Sequence, residues 1–356
     1  MSHFFDHILD AFLNFHCSHI IALLLFNFFT FFTMSLPQLE EDDDDENLKL
    51  KFTQIVSAIV PIAAVSFFFA DHNSRTRFPM FTRDRVDWDI HVEELLKEGL
   101  SSFHQTYRMS HSLFVKLSNL LRPHLQTDEG MSQRRTGKGP ITVEMTLHCL
   151  LRFLSGGSPL DARLTIGISI PSFYRAVFRC AEAILSLDEL AYSFPSSQDE
   201  ILRTALGFAD ISSHNVLEGC VGAVDGMLLR IATPRKTEVG NVKAFFSGHY
   251  QEYGINVQAV CDSHCRFTYA ALAAPGGSND IAAFRNTSLP AMIEKLPVGK
   301  YVVGDNAYIC SEHLLTPFSG SEKKESVNDV YNFYLSQCRI QIEMTFGRLV
   351  NNWQLF

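Results

Sequence analysis

Two apolar patterns divide the chain. From Trp88 to Leu185 apolar residues recur three and four positions apart, the spacing of one helix face. Ile90, Val92, Leu95 and Leu96 predict a first helix, closed by Gly99. Phe103 and Tyr107 lead into RMSHSLFVKLSNLLRPHL. There Ser110 is placed to cap a helix with Phe114, Leu117, Leu120 and Leu121 on one side, and Pro123 stops it. Thr142 to Leu185 reads as three helices. The first carries Met145, Leu147, Leu150, Leu151 and Phe153 up to Gly156-Gly157, and a short second covers Pro159 to Leu164. After a turn at Gly167, a third starts at Ser169 or Ser172 and holds Phe173, Val177, Phe178 and Ala181. Helix, short helix, glycine turn and helix is the punctuation of a helix-turn-helix module, and any small three-helix bundle shares it. Glu189 to Asn215 reads as a link, with SFPSSQDE its most loop-like part.

Beyond that link the pattern changes to short β-branched runs. Val221 to Ile231, Gly254 to Cys261 and Arg266 to Ala274 predict three strands, the last two joined by the turn Asp262-Ser263-His264 as an antiparallel hairpin. Pro275-Gly276-Gly277 ends the third, and Ser278 or Asn279 caps a helix holding Ile281 and Phe284. Tyr301 to Gly304 and Leu314 to Phe318 predict a fourth and a fifth strand. A long helix follows from about Ser326, its core face made by Leu335, Cys338, Ile342, Thr345 and Leu349.

Three acids break this apolar pattern. Asp225 sits inside the first strand, where a carboxylate is costly unless something balances its charge. Asp305 follows the fourth strand and Gly304, and Glu343 lies just off the core face of the long helix, four residues after Arg339 and so beside it. Two strand ends and a helix that deliver three carboxylates suit hard divalent cations and two-metal phosphoryl transfer. The rival reading of each acid is a salt-bridged buried carboxylate.

At 356 residues the chain has room for one large or two modest domains. Its formal charge is −9, but without the seven acids of Glu40 to Glu46 the rest is near −2, so any nucleic-acid surface must be a local patch. Arg134, Arg135 and Lys138 in MSQRRTGKGP are candidates for phosphate contact or for a solvated loop. Arg175 and Arg179 are candidates on the third helix of the three-helix segment. Eight scattered cysteines suit a reducing compartment; Cys261 and Cys265 flank a turn and lack the second half of a zinc site. Two apolar runs precede the helices. Ile20 to Phe32 is short for a membrane span and has no basic region before it; Phe52 to Ala70 has spanning length but is read as a buried helix. The residues before Met34 are expected to be a mis-assigned extension or tail, and Glu40 to Glu46 a solvated acidic segment.

In this order and spacing, GAVDG, HYQEYGINVQAVCDSHCRF, PGGSNDIAAF, GDNAY, LLTPF and CRIQIEMTFGRL resemble the catalytic domain of PIF/Harbinger transposases and their domesticated nuclease relatives, a family of DDE enzymes. YRMS, CLLRFLSGG and IGIS resemble that family's helical N-terminal part, and residues before about 85 are not covered. The resemblance implies an α/β fold: a ribonuclease-H-like mixed five-stranded sheet flanked by helices, preceded by an all-α helix-turn-helix-like region. The implied domains are a tail over 1–50, a helical region over 51–200 with its helix-turn-helix-like part at 142–185, and a catalytic domain over 215–356, shortened at its C-terminus. It implies that Asp225, Asp305 and Glu343 are catalytic and hold a divalent metal, Mg²⁺ or Mn²⁺, as two ions, that Asp280 caps or supports the site, and that Lys243 and Arg348 meet substrate phosphate. The implied activity is cutting of DNA at transposon ends and strand transfer to target DNA; the alternative is a DNA-binding protein that keeps the fold without that chemistry. DNA, a separate Myb-like DNA-binding protein and further copies of the chain are the implied partners, and the nucleus the implied location, with the membrane disfavoured. Met227 and Asn306-Ala307 depart from the residues usual in the family without removing a ligand.

Overall fold

The computed structural model describes residues 84–136, 138–236 and 239–353, with no side chains described for Arg135 and Thr136. The apolar runs 20–32 and 52–70 and the acidic segment lie outside the described residues. Among the described residues no helix is long and apolar enough to cross a membrane. The described chain falls into two compact units, 84–187 with 350–353, and 188–349.

The first unit is helical: α1 (Trp88–Lys97), α2 (Leu100–Tyr107), α3 (His111–Leu121), α4 (Glu129–Thr136), α5 (Val143–Leu154), α6 (Pro159–Ile166) and α7 (Ile170–Leu185). Side chains close the helix starts that the sequence marks. The Ser110, Thr142 and Ser169 hydroxyls accept from the backbone N–H three residues on, satisfying donors that no helical carbonyl reaches. Gly167 ends α6 in the left-handed region at φ 70°, and an added Cβ would lie 2.1 Å from the Asp84 carbonyl oxygen, so the turn into α7 needs glycine twice over. The core gathers Phe103, Tyr107, Phe114 and Leu117, and α7 packs on α5 through faces that are apolar at the predicted positions. The buried His148 bonds the Tyr107 hydroxyl at 3.0 Å, and burial pushes its pKa down to about 3, which makes it a neutral core group. The basic stretch 131–140 was expected to be a connector. Instead α4 runs through it to Thr136, and the Asp128 carboxylate accepts from the Met131 N–H in its first turn.

The second unit is a mixed sheet flanked by helices. The strands are β1 (Cys220–Arg230), β2 (Phe246–Ser247), β3 (Glu252–Cys261), β4 (Phe267–Pro275), β5 (Tyr301–Val303) and β6 (Leu314–Leu315). Five stand in the order β4-β3-β1-β5-β6; β2, a sixth strand that the periodicity did not show, pairs only with Glu252 and Tyr253. β3 is antiparallel to both its neighbours, β1 and β4, while β5 runs parallel to β1 and β6 parallel to β5. The β3–β4 turn is pinned by Asp262, whose Oδ1 accepts from the His264 and Arg266 backbone at 2.9 Å.

Four helices complete the unit: α8 (Gln198–Ile211), α9 (Asp280–Arg285), α10 (Leu289–Ile293) and α11 (Ser326–Asn352). The link expected over 189–215 is therefore largely a helix. Ser197 and Glu200 form a reciprocal capping box at its start, the signature hidden in SFPSSQDE. Ile201 and Ala205 of α8 join Val221, Val224, Val260, Val302, Leu289 and Ile293 in one buried cluster. Leu335, Cys338, Ile342, Thr345 and Leu349 of α11 are all buried, as their spacing predicts. Gln341 accepts from the Cys265 thiol at 3.1 Å, and Phe346 meets the Phe267 ring at 5.7 Å, so α11 is seated on the hairpin.

Candidate active site

Parallel pairing of β1 with β5 sets Ala223 opposite Val303. Moving the same distance along both strands brings the chain to Asp225 and to Asp305, so the two acids emerge side by side. β5 stops at Val303, and Asp305 turns the chain away, its Oδ1 accepting from the Ala307 N–H at 2.9 Å. Asp225 Oδ1 accepts from the Gly226 N–H at 2.8 Å. Burial is the main cause that pushes Asp225 up to about 7, with the charges of Asp305 and Asp280 adding to it and Arg339 opposing. Asp305 is raised by burial and then by Asp280 and Glu343, again against Arg339. Asp225, Asp305, Asp280 and Glu343 therefore contribute to one field.

Asp280, the first residue of α9, is placed by a polar network. Its Oδ1 accepts from Asn256 Nδ2 at 2.9 Å and from Gln258 Nε2 at 3.5 Å. Gln258 Nε2 also donates to Asn256 Oδ1 at 2.8 Å, and Gln258 Oε1 accepts the Tyr308 hydroxyl at 2.7 Å. Gln258 and Tyr308 are buried, so each polar atom has a partner where water is scarce. Gly226 makes room for this network: a Cβ there would stand 2.4 Å from Asp280 Oδ1 and 2.8 Å from Gln258 Nε2. Asn279, one of the two residues expected to cap α9, does so: its Oδ1 accepts from the Ala282 N–H at 2.8 Å.

Glu343 is exposed on α11 and bonded to Arg339 at 2.6 Å, the neighbour its spacing predicts. Among the described residues no three His, Cys, Asp or Glu side chains converge closely enough to hold a metal ion together. Asp225 and Asp305 nonetheless match a hard cation in donor chemistry, being adjacent carboxylates whose repulsion a positive charge would relieve. Next to them opens a groove of about 400 Å³, lined by Asp305, Asn306, Phe318, Lys323, Asn332 and Arg339 among others.

The predicted cations are scattered. Lys243 is exposed in a 3-10 turn, Val242–Phe245, and Arg348 is exposed on α11. Arg175 is exposed and Arg179 half-buried on α7, both beside a small hollow with Ser172 and Thr146, and Arg179 donates to the Gln126 carbonyl at 3.4 Å. Arg134 bends back to the Gly130 carbonyl, and Lys138 is paired with Asp84 at 2.6 Å, so neither stands as a free phosphate contact in this structure. Sequence reasoning missed Asn256, Gln258, Tyr308 and Lys323. Asn256 and Gln258 left one signal, two amides on one face of a largely apolar strand.

Residues 224–356 match the family model of the DDE superfamily endonucleases. The chain is similar to "Protein ALP1-like" of Arabidopsis thaliana, 24% identical over 272 residues, which are 71% of this chain and 64% of the relative. It is also similar to "Putative nuclease HARBI1" of Rattus norvegicus, 26% identical over 180 residues, 50% of this chain and 49% of the relative. The chain thus spans less than two thirds of either relative. No solved structure matches it.

Proposed function

We propose that the second unit is a metal-dependent DNA nuclease whose site is Asp225, Asp305 and Glu343. The observation that carries this is the register of β1 on β5, which sets two partly buried acids side by side inside the stretch that matches the DDE endonucleases. The strand order, three antiparallel strands followed by two parallel to the first, supports a ribonuclease-H-like sheet. Asp225 and Asp305 would hold a divalent cation, Mg²⁺ or Mn²⁺, with Glu343 completing the set. When bound, such ions supply positive charge at the attacked phosphate and at its attacking and leaving oxygens. The chain's own residues do the rest. Asp280, locked by Asn256 and Gln258, fixes the wall behind Asp225, and Gly226 lets that wall approach. Arg339 shares its guanidinium between Glu343 and the groove, where an incoming phosphate would find it.

Strand transfer at transposon ends extends this reading, with a Myb-like DNA-binding partner, self-association and a nuclear location. In it, residues 84–187 would meet DNA through exposed cations such as Arg175. A second reading, a DNA-binding protein without cutting activity, draws on Glu343 being engaged by Arg339 rather than turned to the aspartates. A nicking assay separates the two. The full chain should nick plasmid DNA in Mn²⁺, and Asp305→Asn should lose at least about a hundredfold of that rate. DNA binding without nicking by the wild type would favour the second reading.

A further inference from the structure

The groove beside Asp305 has walls that no step above uses. Its volume of about 400 Å³ lies in the range of small-ligand sites. One wall is the loop Pro317 to Gly320. That loop is held in place: the Phe318 N–H donates to Asn332 Oδ1 at 2.8 Å, and Asn332 Nδ2 donates back to the Phe318 carbonyl at 2.9 Å. The Tyr331 ring meets Phe318 edge-on at 5.2 Å, and the Tyr331 hydroxyl bonds the Thr316 carbonyl. Phe318 therefore stays 40% exposed on a fixed backbone, an aromatic surface turned outward where burial would be expected. Around it stand an amide, Asn306, the hydroxyls of Ser319 and Ser336, and two cations, Lys323 and Arg339. Lys323 is exposed and carries no ion pair among the described residues.

An aromatic face, a hydrogen-bonding rim and a pair of cations match the three parts of a nucleotide: flat base, polar edge and phosphate. A base inside a duplex is covered by its neighbours and cannot enter a concave groove, whereas an unpaired one can. We infer that this groove binds an unpaired nucleotide next to the phosphate at Asp305, its base on Phe318 and its own phosphate toward Lys323. This rests on the nuclease reading for the position of the cut, but the binding step needs neither metal nor cleavage. The substrate class it names is DNA with a single-stranded or extruded base at the reacting end.

Anisotropy of a fluorescein-labelled duplex tests it, using the full chain in EDTA. One probe is blunt and the other carries a short single-stranded extension. The extended probe should bind more tightly to the wild type. Phe318→Ala should weaken that probe by about tenfold, leave the blunt duplex unchanged, and be rescued by Phe318→Trp. Lys323→Gln should weaken the extended probe and reduce its salt dependence. Equal affinity of the wild type for both probes, or a preference that survives Phe318→Ala, overturns the inference. Loss of nicking in Asp305→Asn with the preference intact leaves it standing, and a preference without any nicking by the wild type removes only the nuclease reading.

Discussion

Asp225 is held in the fold more readily as a neutral acid than as a carboxylate, because burial pushes it from the ordinary value of 3.8 up to about 7. A raised folded pKa adds stability that is complete below the unfolded value and is lost as pH climbs through the folded one. The window therefore runs from near 4 to near 7. Asp225→Asn removes the titration, so it should stabilise the protein by on the order of 1–4 kcal/mol at pH 8 and by much less at pH 4. Urea unfolding of both proteins at the two pH values checks this, and an equal gain at both would remove the explanation. Gly226→Ala pushes a methyl group into Asp280 and Gln258. Overpacking of this kind costs roughly 1–3 kcal/mol, so its melting temperature should fall and its nicking rate with it. At this scale the acids were legible in the sequence, since a carboxylate in an apolar run contradicts its surroundings. Asn256, Gln258 and Tyr308 were not, because a polar residue in a strand acquires meaning only from what lies across the sheet. Lys138 misled for the same reason, its partner Asp84 being 54 positions away.

Elements were read well where a periodic face was long. The core stripe of α11 and the strands β1, β3 and β4 fell within a residue or two of their expected places. The misses were short or polar. β2 is two residues long and exists only because β3 passes beside it. α8 opens on serines that look like loop, although Ser197 and Glu200 spell a capping box. Ser197→Ala should lower stability by about 1 kcal/mol, measured by thermal unfolding, since the first-turn N–H groups lose their acceptor. Arg339→Gln separates element stability from site chemistry. An exposed pair one helical turn apart contributes only about 0.3–0.5 kcal/mol, so the melting point should barely move. A fall in nicking would then report on the site, and a large drop in stability would show that Arg339 holds more than Glu343.

For the whole molecule, a cation that binds the folded chain and not the unfolded one stabilises it by mass action, about 2.7 kcal/mol at a hundred times its dissociation constant. Mn²⁺ should raise the unfolding temperature of the wild type and leave Asp305→Asn unmoved; equal shifts would place the ion elsewhere. What the sequence determined by itself was the change from helical to strand periodicity near residue 220, the candidates Asp225, Asp305 and Glu343, and caps such as Ser110 and Ser169. Those are local: they depend on the spacing of side chains and on backbone groups a few residues away. Only the tertiary structure decided which acids share a field and that a fixed aromatic wall stands beside Asp305. Those depend on strand register and on burial, which are set by contacts between residues far apart in the chain.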